Sequence, residues 1–182
     1  MKRFKADEVF FTGDTHFRHA NLLKYTSRPF ATIEEMNDGL IANWNAVVKP
    51  TDTVIHCGDF AFAGKTFIRE IVTKLNGSII LIKGNHDEKP PEESFVGIYH
   101  YFECRIGEQD IACLHYPMES WNRMHHGSWH VHGHCHGSLK INENLKRMDV
   151  GIDCHPNHRP FSFMEIEMVM KDRRFVAVDH HQ

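Results

Sequence analysis

Glu8-Val9-Phe10-Phe11-Thr12-Gly13 runs straight into Asp14-Thr15-His16, and this stretch sets the pattern for the chain. An apolar, β-branched or aromatic run that stops at a glycine reads as a buried strand leaving its sheet. Directly beyond the glycine stands a residue that can bind a metal. The pattern recurs four times. Thr53–Gly58 (TVIHCG) runs into Asp59, and Ser78–Gly84 (SIILIKG) into Asn85, His86 and Asp87. Asp110–Leu114 (DIACL) runs into His115, and Ser128–Gly133 (SWHVHG) into His134 and His136. Strand exits can converge on one edge of a sheet, which is where open α/β folds place their sites. The chain therefore builds a cluster of imidazoles, carboxylates and an amide, a donor set suited to metal.

Helical signals separate the first three strands. Thr32 to Val48 reads as a helix, with Thr32 as N-cap and Glu35 completing a capping box. Ile33, Met36, Leu40, Ile41, Trp44, Val47 and Val48 fall on one face at helical spacing, so they face a core. Pro50 lies just past the end of this helix. Lys65 to Leu75 is a second amphipathic helix, stopped at Asn76-Gly77. The first strand is expected over residues 8–13, the second over 52–57 and the third over 78–83. Residues 15–30 read as a loop with a short helix. Strand and helix in alternation predict an α/β fold with parallel pairing.

Beyond residue 100 the pattern changes. Residues 102–106 and 109–114 flank Gly107-Glu108 and read as a hairpin. Strands are expected at 129–132 and 148–152. A helix is expected at 162–170, with Ser162 as cap and Glu165 at the capping-box position. A last strand is expected at 175–178. No linker, repeat or low-complexity segment interrupts the chain, which reads as a single α/β domain over residues 1–182 with two sheets.

With 182 residues the chain can bury a sizeable core. A hydrophobic fraction of 41% and a charged fraction of 25% are ordinary for a globular protein. The formal net charge of −3 gives no broad basic footprint for long nucleic acid. It leaves room for a small anionic substrate held by metal. No apolar stretch is long enough to span a bilayer, and the N-terminus lacks the features of a signal peptide. Cys57, Cys104, Cys113, Cys135 and Cys154 are odd in number and lack zinc-finger pairing. Free thiols and a cytoplasmic location are the expectations.

Taken singly, the motifs are weak. Asp14 and His16 are alternate residues, which on an extended segment point to one side. Gly58-Asp59 alone marks a turn. Gly84-Asn85-His86-Asp87 carries more, because a turn needs only the glycine and one polar residue. His134 and His136 repeat the alternate spacing with two imidazoles, and a histidine-rich surface loop is the competing reading. Asp87 is open to two uses, orienting His86 or capping the turn.

The order D-x-H, GD, GNHD, a lone histidine after a strand, and GHxH resembles the calcineurin-like metallophosphoesterase superfamily. The resemblance spans residues 8 to about 136. Asp14-Thr15-His16-Phe17-Arg18-His19 and Arg28-Pro29-Phe30 further resemble small bacterial and phage members. It implies a four-layer α/β–β/α sandwich of two mixed sheets and two divalent metal ions. Asp14, His16, Asp59 and His136 would hold one; Asp59, Asn85, His115 and His134 the other, with Asp59 bridging. Oxygen and imidazole donors without thiolate fit Mn²⁺, Fe or Zn²⁺, with Mn²⁺ the working choice. The resemblance also implies hydrolysis of a phosphodiester or phosphomonoester by in-line attack of a metal-bridging hydroxide, with His86 as general acid and Asp59 in the catalytic centre.

Arg18, His19 and Arg28 lie near the first metal motif and are candidates for binding substrate phosphate. The plainer reading makes them solvated loop residues. Asp149 and Asp153 are candidates to support ligating histidines. His56, His130 and His132 read as strand residues, His180-His181 as an exposed pair, and Trp121, Trp129 and Phe161 as core. Asp59 is followed by Phe60-Ala61-Phe62-Ala63-Gly64 rather than the D-R-G of the superfamily's protein phosphatases. That argues against a serine/threonine protein phosphatase. Little chain is left over for a specificity cap, which suits a small phosphoester, with a nucleotide or a nucleic-acid end as further candidate partners. Two alternatives stand beside this reading. One is a nuclease acting on short or single-stranded nucleic acid. The other is a non-catalytic, metal-containing binding scaffold, as in the retromer subunit that resembles this fold.

Overall fold

The computed structural model describes residues 1–176. Among these residues, ten strands form two mixed sheets. In the first sheet β2 (Val9–Thr12), β3 (Thr53–His56), β4 (Ser78–Ile82) and β5 (Gly97–Tyr99) pair in parallel, and β10 (Phe161–Ser162) joins β2 antiparallel. In the second sheet β6 (Tyr101–Ile106) and β7 (Gln109–Leu114) form the expected hairpin. β1 (Lys2–Phe4) flanks β6 in parallel, while β8 (Trp129–His132) and β9 (Arg147–Asp149) extend the sheet in parallel beyond β7.

The apolar runs are continuous because both faces of the first sheet are covered. Side chains alternate along a strand. Val9, Phe11, Ile55, Ile80 and Ile82 therefore point between the sheets, where they meet Cys104, Ile111, Cys113 and Val131. Phe10, Val54, Ile79 and Leu81 point the other way, onto the helices α1 (Ile33–Asn45) and α2 (Lys65–Lys74). Met36, Leu40, Trp44 and Val48 are the buried part of the expected stripe, and Thr32 caps α1 through the Glu35 amide. Trp121, Met124 and Leu145, carried on loops and a short 3-10 turn, cover the outer face of the second sheet beside Ala112. The helix α3 (Phe163–Asp172) has the expected capping box and adds Phe163, Ile166 and Met170 to the inter-sheet core. Trp129 and Phe161 join that core as well.

Three strands escape the sequence pattern: β1, β5 and β10 are three, three and two residues long. Such lengths are too short to show a period. The strand expected at 148–152 ends at Asp149, whose own carboxylate takes the Gly151 amide at 2.8 Å and turns the chain. Phe175 and Val176 lie in no strand; the remainder of that expected strand, and His180-His181, fall outside the described residues. Among the described residues no helix is long and apolar enough to cross a membrane, and all five cysteines are free.

Candidate metal centre

The exits of β2, β3, β4, β7 and β8 come together at one end of the two sheets. The loops leaving β2 and β3 stay tied beyond the strands: the amides of Asp14, His16 and Phe17 donate to the carbonyls of Gly58, Asp59 and Phe60 at 2.8, 3.0 and 3.0 Å. Asp14 and His16 share a side, but not by extension as expected. Both adopt left-handed backbone, φ 54° and 47°, as do Asp59, His134 and His136 at 55°, 70° and 47°. Non-glycine residues seldom sit there, and such strain collects at functional sites. Two glycines permit the crowding. At Gly58, with φ +93°, a Cβ would stand 2.5 Å from His115 Nδ1, and at Gly84 it would strike the Asp59 carboxylate.

Asp59 is the hub. It is 2% exposed. Its Oδ2 faces His16 Nε2 at 3.5 Å, His115 Nε2 at 3.5 Å and His86 Nε2 at 4.0 Å, and its Oδ1 accepts the His86 amide at 2.8 Å. Donor atoms gather into three overlapping groups: Asp14, His16 and His136; His16, Asp59 and His86; Asp14, Asp59 and His115. The first contains three of the four residues expected around one ion. His134 joins none of them. Its ring stands against His115 and Tyr116 at centroid distances of 5.0 and 4.6 Å, while its amide donates to the Asp14 carboxylate.

The tautomers are fixed by oxygen acceptors. His115 Nδ1 must donate to the Cys57 carbonyl at 2.8 Å, which leaves Nε2 a lone pair. That lone pair faces Asn85 Oδ1 at 3.0 Å, so two acceptors meet where a cation is wanted. His136 Nδ1 likewise donates to Asp153 at 2.6 Å. His16 Nε2 is buried with no hydrogen-bond partner, which is costly unless something else fills the position. These atoms fit a divalent cation: oxygen and imidazole donors, no thiolate, and an orphaned nitrogen aimed at a carboxylate.

Electrostatics point the same way. Burial pushes the Asp14 carboxyl well above its usual range, with Asp149 and Asp59 adding to the effect against His136. Burial, with His136 and Arg28 nearby, pulls His16 down to about 2, so its ring is a neutral donor. Burial also lowers His136, yet the Asp153 bond and the Asp14 charge outweigh it and raise the ring. A bound cation reverses such trends for a carboxylate by favouring its charged form.

The supporting residues divide sharply. Asp87 caps the turn rather than orienting His86: its oxygens accept the amides of Asp59, Phe60 and Gly84 at 2.6, 3.0 and 3.0 Å. Arg28 requires a correction. Expected at the substrate, it turns inward with a fully buried side chain. It grips Asp153 with two bonds of 2.7 and 2.8 Å and donates to the carbonyls of Thr15 and Asp14 at 2.8 and 2.6 Å. The aromatic and polar loop of residues 15–30 needs that anchor, and only the fold shows that Asp153 lies opposite. His19 and Arg18 stay at the surface. His19 lies 3.3 Å from His16 Nδ1 and stacks on Phe62, and Arg18 lies over Phe67 at 4.9 Å. His56 donates to Thr15 Oγ1 at 3.0 Å from within the core. Sequence reasoning missed Phe62 and Tyr116, which are 57% and 44% exposed beside the donor cluster. Their only signal was an aromatic one residue after a ligand or in the run following it.

Residues 8–152 match the model of the calcineurin-like phosphoesterase superfamily domain. The chain is 34% identical over 171 residues to the uncharacterized protein MJ1445 of Methanocaldococcus jannaschii, covering 90% of each. Its fold superposes on the crystal structure of the protein of unknown function AQ665 from Aquifex aeolicus with a TM-score of 0.67 at 25% identity. That match covers 88% of this chain and 98% of the other. A looser superposition, TM-score 0.41 at 16% identity, relates 79% of the chain to 72% of vacuolar protein sorting 29 from Cryptosporidium parvum.

Proposed function

Because the chain belongs to the calcineurin-like phosphoesterase superfamily, we propose that it hydrolyses a phosphodiester or phosphomonoester at a two-cation centre. One observation carries the reading: one oxygen of the buried Asp59 lies 3.5 Å from both His16 Nε2 and His115 Nε2, one from each expected ligand set, the position a bridging carboxylate needs. Asp14, His16, Asp59 and His136 would hold one ion, and Asp59, Asn85, His115 and His134 the other. When bound, two divalent cations supply a hydroxide nucleophile at neutral pH and neutralise charge on the phosphoryl oxygens.

The chain's own residues do the rest. His86 hangs its ring over the cluster, 34% exposed, and is anchored by its amide on Asp59. It hands a proton to the leaving oxygen, a task that suits an imidazole near neutral pH. Asp87 holds the Asp59 turn, and Arg28 with Asp153 holds the loop of Asp14 and the ring of His136. His19 and Arg18 stand at the rim, where an incoming phosphate arrives. Mn²⁺ is the working choice of ion. Five free cysteines suit a reducing cytoplasm.

The test strips the metal, restores Mn²⁺, and assays an aryl phosphodiester beside an aryl phosphomonoester. Metal-dependent turnover of either supports the reading. His86→Ala is expected to cut turnover by roughly 10²–10⁴-fold while leaving about two ions per chain. Loss of metal in that variant would remove the role given to His86. No turnover with any ion would favour the binding scaffold.

A further inference from the structure

A cleft of about 590 Å³ opens beside His86 and Asn85, and neither His134 nor His136 lines it. Its volume lies in the range of small-molecule sites. The wall nearest His86 is Phe62, with Ala63, Lys65 and Lys89 further along. A second recess of about 720 Å³ continues from Lys65 and Lys89 past Lys83 to Tyr99 and His100.

Phe62 is unusual for an aromatic so close to a polar centre. It is 57% exposed, yet held firmly. Its amide donates to the Phe17 carbonyl at 2.9 Å, and its ring stacks on His19 at 4.6 Å with an interplanar angle of 21°. Its edge geometry to His86 is fixed as well, at 5.8 Å and 76°. His19 backs the ring, and more than half of the residue stays open to solvent. Lys65 and Lys89 make no salt bridge among the described residues, and Asp87 and Glu88 are the acids that share the cleft with them. The lining thus offers an exposed aromatic platform beside His86, with two lysines and two acids around it.

We propose that this cleft is the leaving-group subsite for a nucleoside or nucleotide, stacked on Phe62, which makes the substrate a nucleotide phosphodiester. The inference rests on the phosphoesterase reading above. Hydrolysis forms a P–O bond to the oxygen of water and breaks the P–O bond to the nucleoside. The leaving oxygen takes its proton from His86, so the departing group must lie on the His86 side, where the cleft is. Stacking on an aromatic tolerates any base, because every base has a π-face.

The methyl ester of thymidine 5′-monophosphate tests this by internal competition. One substrate can lose either thymidine or methanol, and the two products are counted in one reaction. Thymidine release is expected to exceed methanol release about tenfold or more. Phe62→Ala should move that partition toward unity, and Phe62→Trp should restore it. A partition near one in the native protein, or one unmoved by Phe62→Ala, overturns the proposal. A second readout needs no turnover: calorimetry of adenosine 5′-monophosphate against ribose 5-phosphate on the Mn²⁺-loaded protein. Tighter binding of the nucleotide that Phe62→Ala erases supports the stacking site. Equal binding overturns it. If no ester is hydrolysed while the nucleotide preference stands, the phosphoesterase reading fails alone.

Discussion

Replacing Arg28 by alanine separates two accounts of the residue. The guanidinium makes four hydrogen bonds of 2.6 to 2.8 Å, two to Asp153 and two to the carbonyls of Asp14 and Thr15. Summed as charge-assisted bonds they would exceed about 6 kcal/mol, at roughly 1.5–3 kcal/mol each. That sum overshoots, because Asp153 is 11% exposed and keeps His136. Breaking a buried pair by removing one partner costs about 3–5 kcal/mol, and this is the expected loss for Arg28→Ala. For a chain of this length it corresponds to a fall in Tm of about 6–20 °C. Arg28→Lys keeps the charge but not the fork, and should fall between. Loosening Asp153 also frees His136, so metal affinity should drop about 10–100-fold. Urea unfolding in chelator measures the first effect, and Mn²⁺ titration the second. An Arg28→Ala protein with native stability and native metal affinity, changed only in KM, would refute the reasoning and return Arg28 to the substrate.

Asp87→Ala removes the acceptor for three backbone amides in a residue 5% exposed. A loss of about 2–4 kcal/mol in chelator is expected, along with weaker Mn²⁺ binding. Unchanged Mn²⁺ titration would show that the Asp59 turn holds without it. Glu165 gives the pH signature. Burial would raise its carboxyl, but Arg159 and the Ser162 cap hold it down at about 2 against an ordinary 4.5. A depressed folded pKa stabilises above the unfolded value, so the contribution is full above 4.5 and fades as pH falls toward about 2. Melting of wild type and Glu165→Gln at stepped pH should show a gap that closes across that window. A gap independent of pH would contradict it. Adding Mn²⁺ to stripped protein should raise Tm by mass action, and a Tm indifferent to metal would count against a folded-state site.

The elements and ligands were legible in unequal measure. β2, β3, β4, β7 and β8 were readable because an apolar run ending at glycine or a ligand is a local signal, and α1 and α3 because their caps are encoded within four residues. β1, β5 and β10 were not, since two or three residues carry no period and their pairing partners lie far along the chain. The donors at the strand exits could be named from order alone. Arg28 could not be placed, because its partner Asp153 is 125 positions away. Phe62 gave only a weak sign, an aromatic in the run after Asp59, because exposure is decided by what fails to pack on a ring.

Residue order by itself determined the α/β opening, the set of candidate metal donors and the family they resemble. Those depend on covalent spacing, which folding leaves unchanged. Tertiary structure alone decided the left-handed turns that aim Asp14, His16, Asp59, His134 and His136. It also decided the acceptors that fix the tautomers of His115 and His136, the inward fork of Arg28 and the exposure of Phe62. Each of these is set by atoms distant in sequence meeting within a few ångströms, and no local pattern records such a meeting.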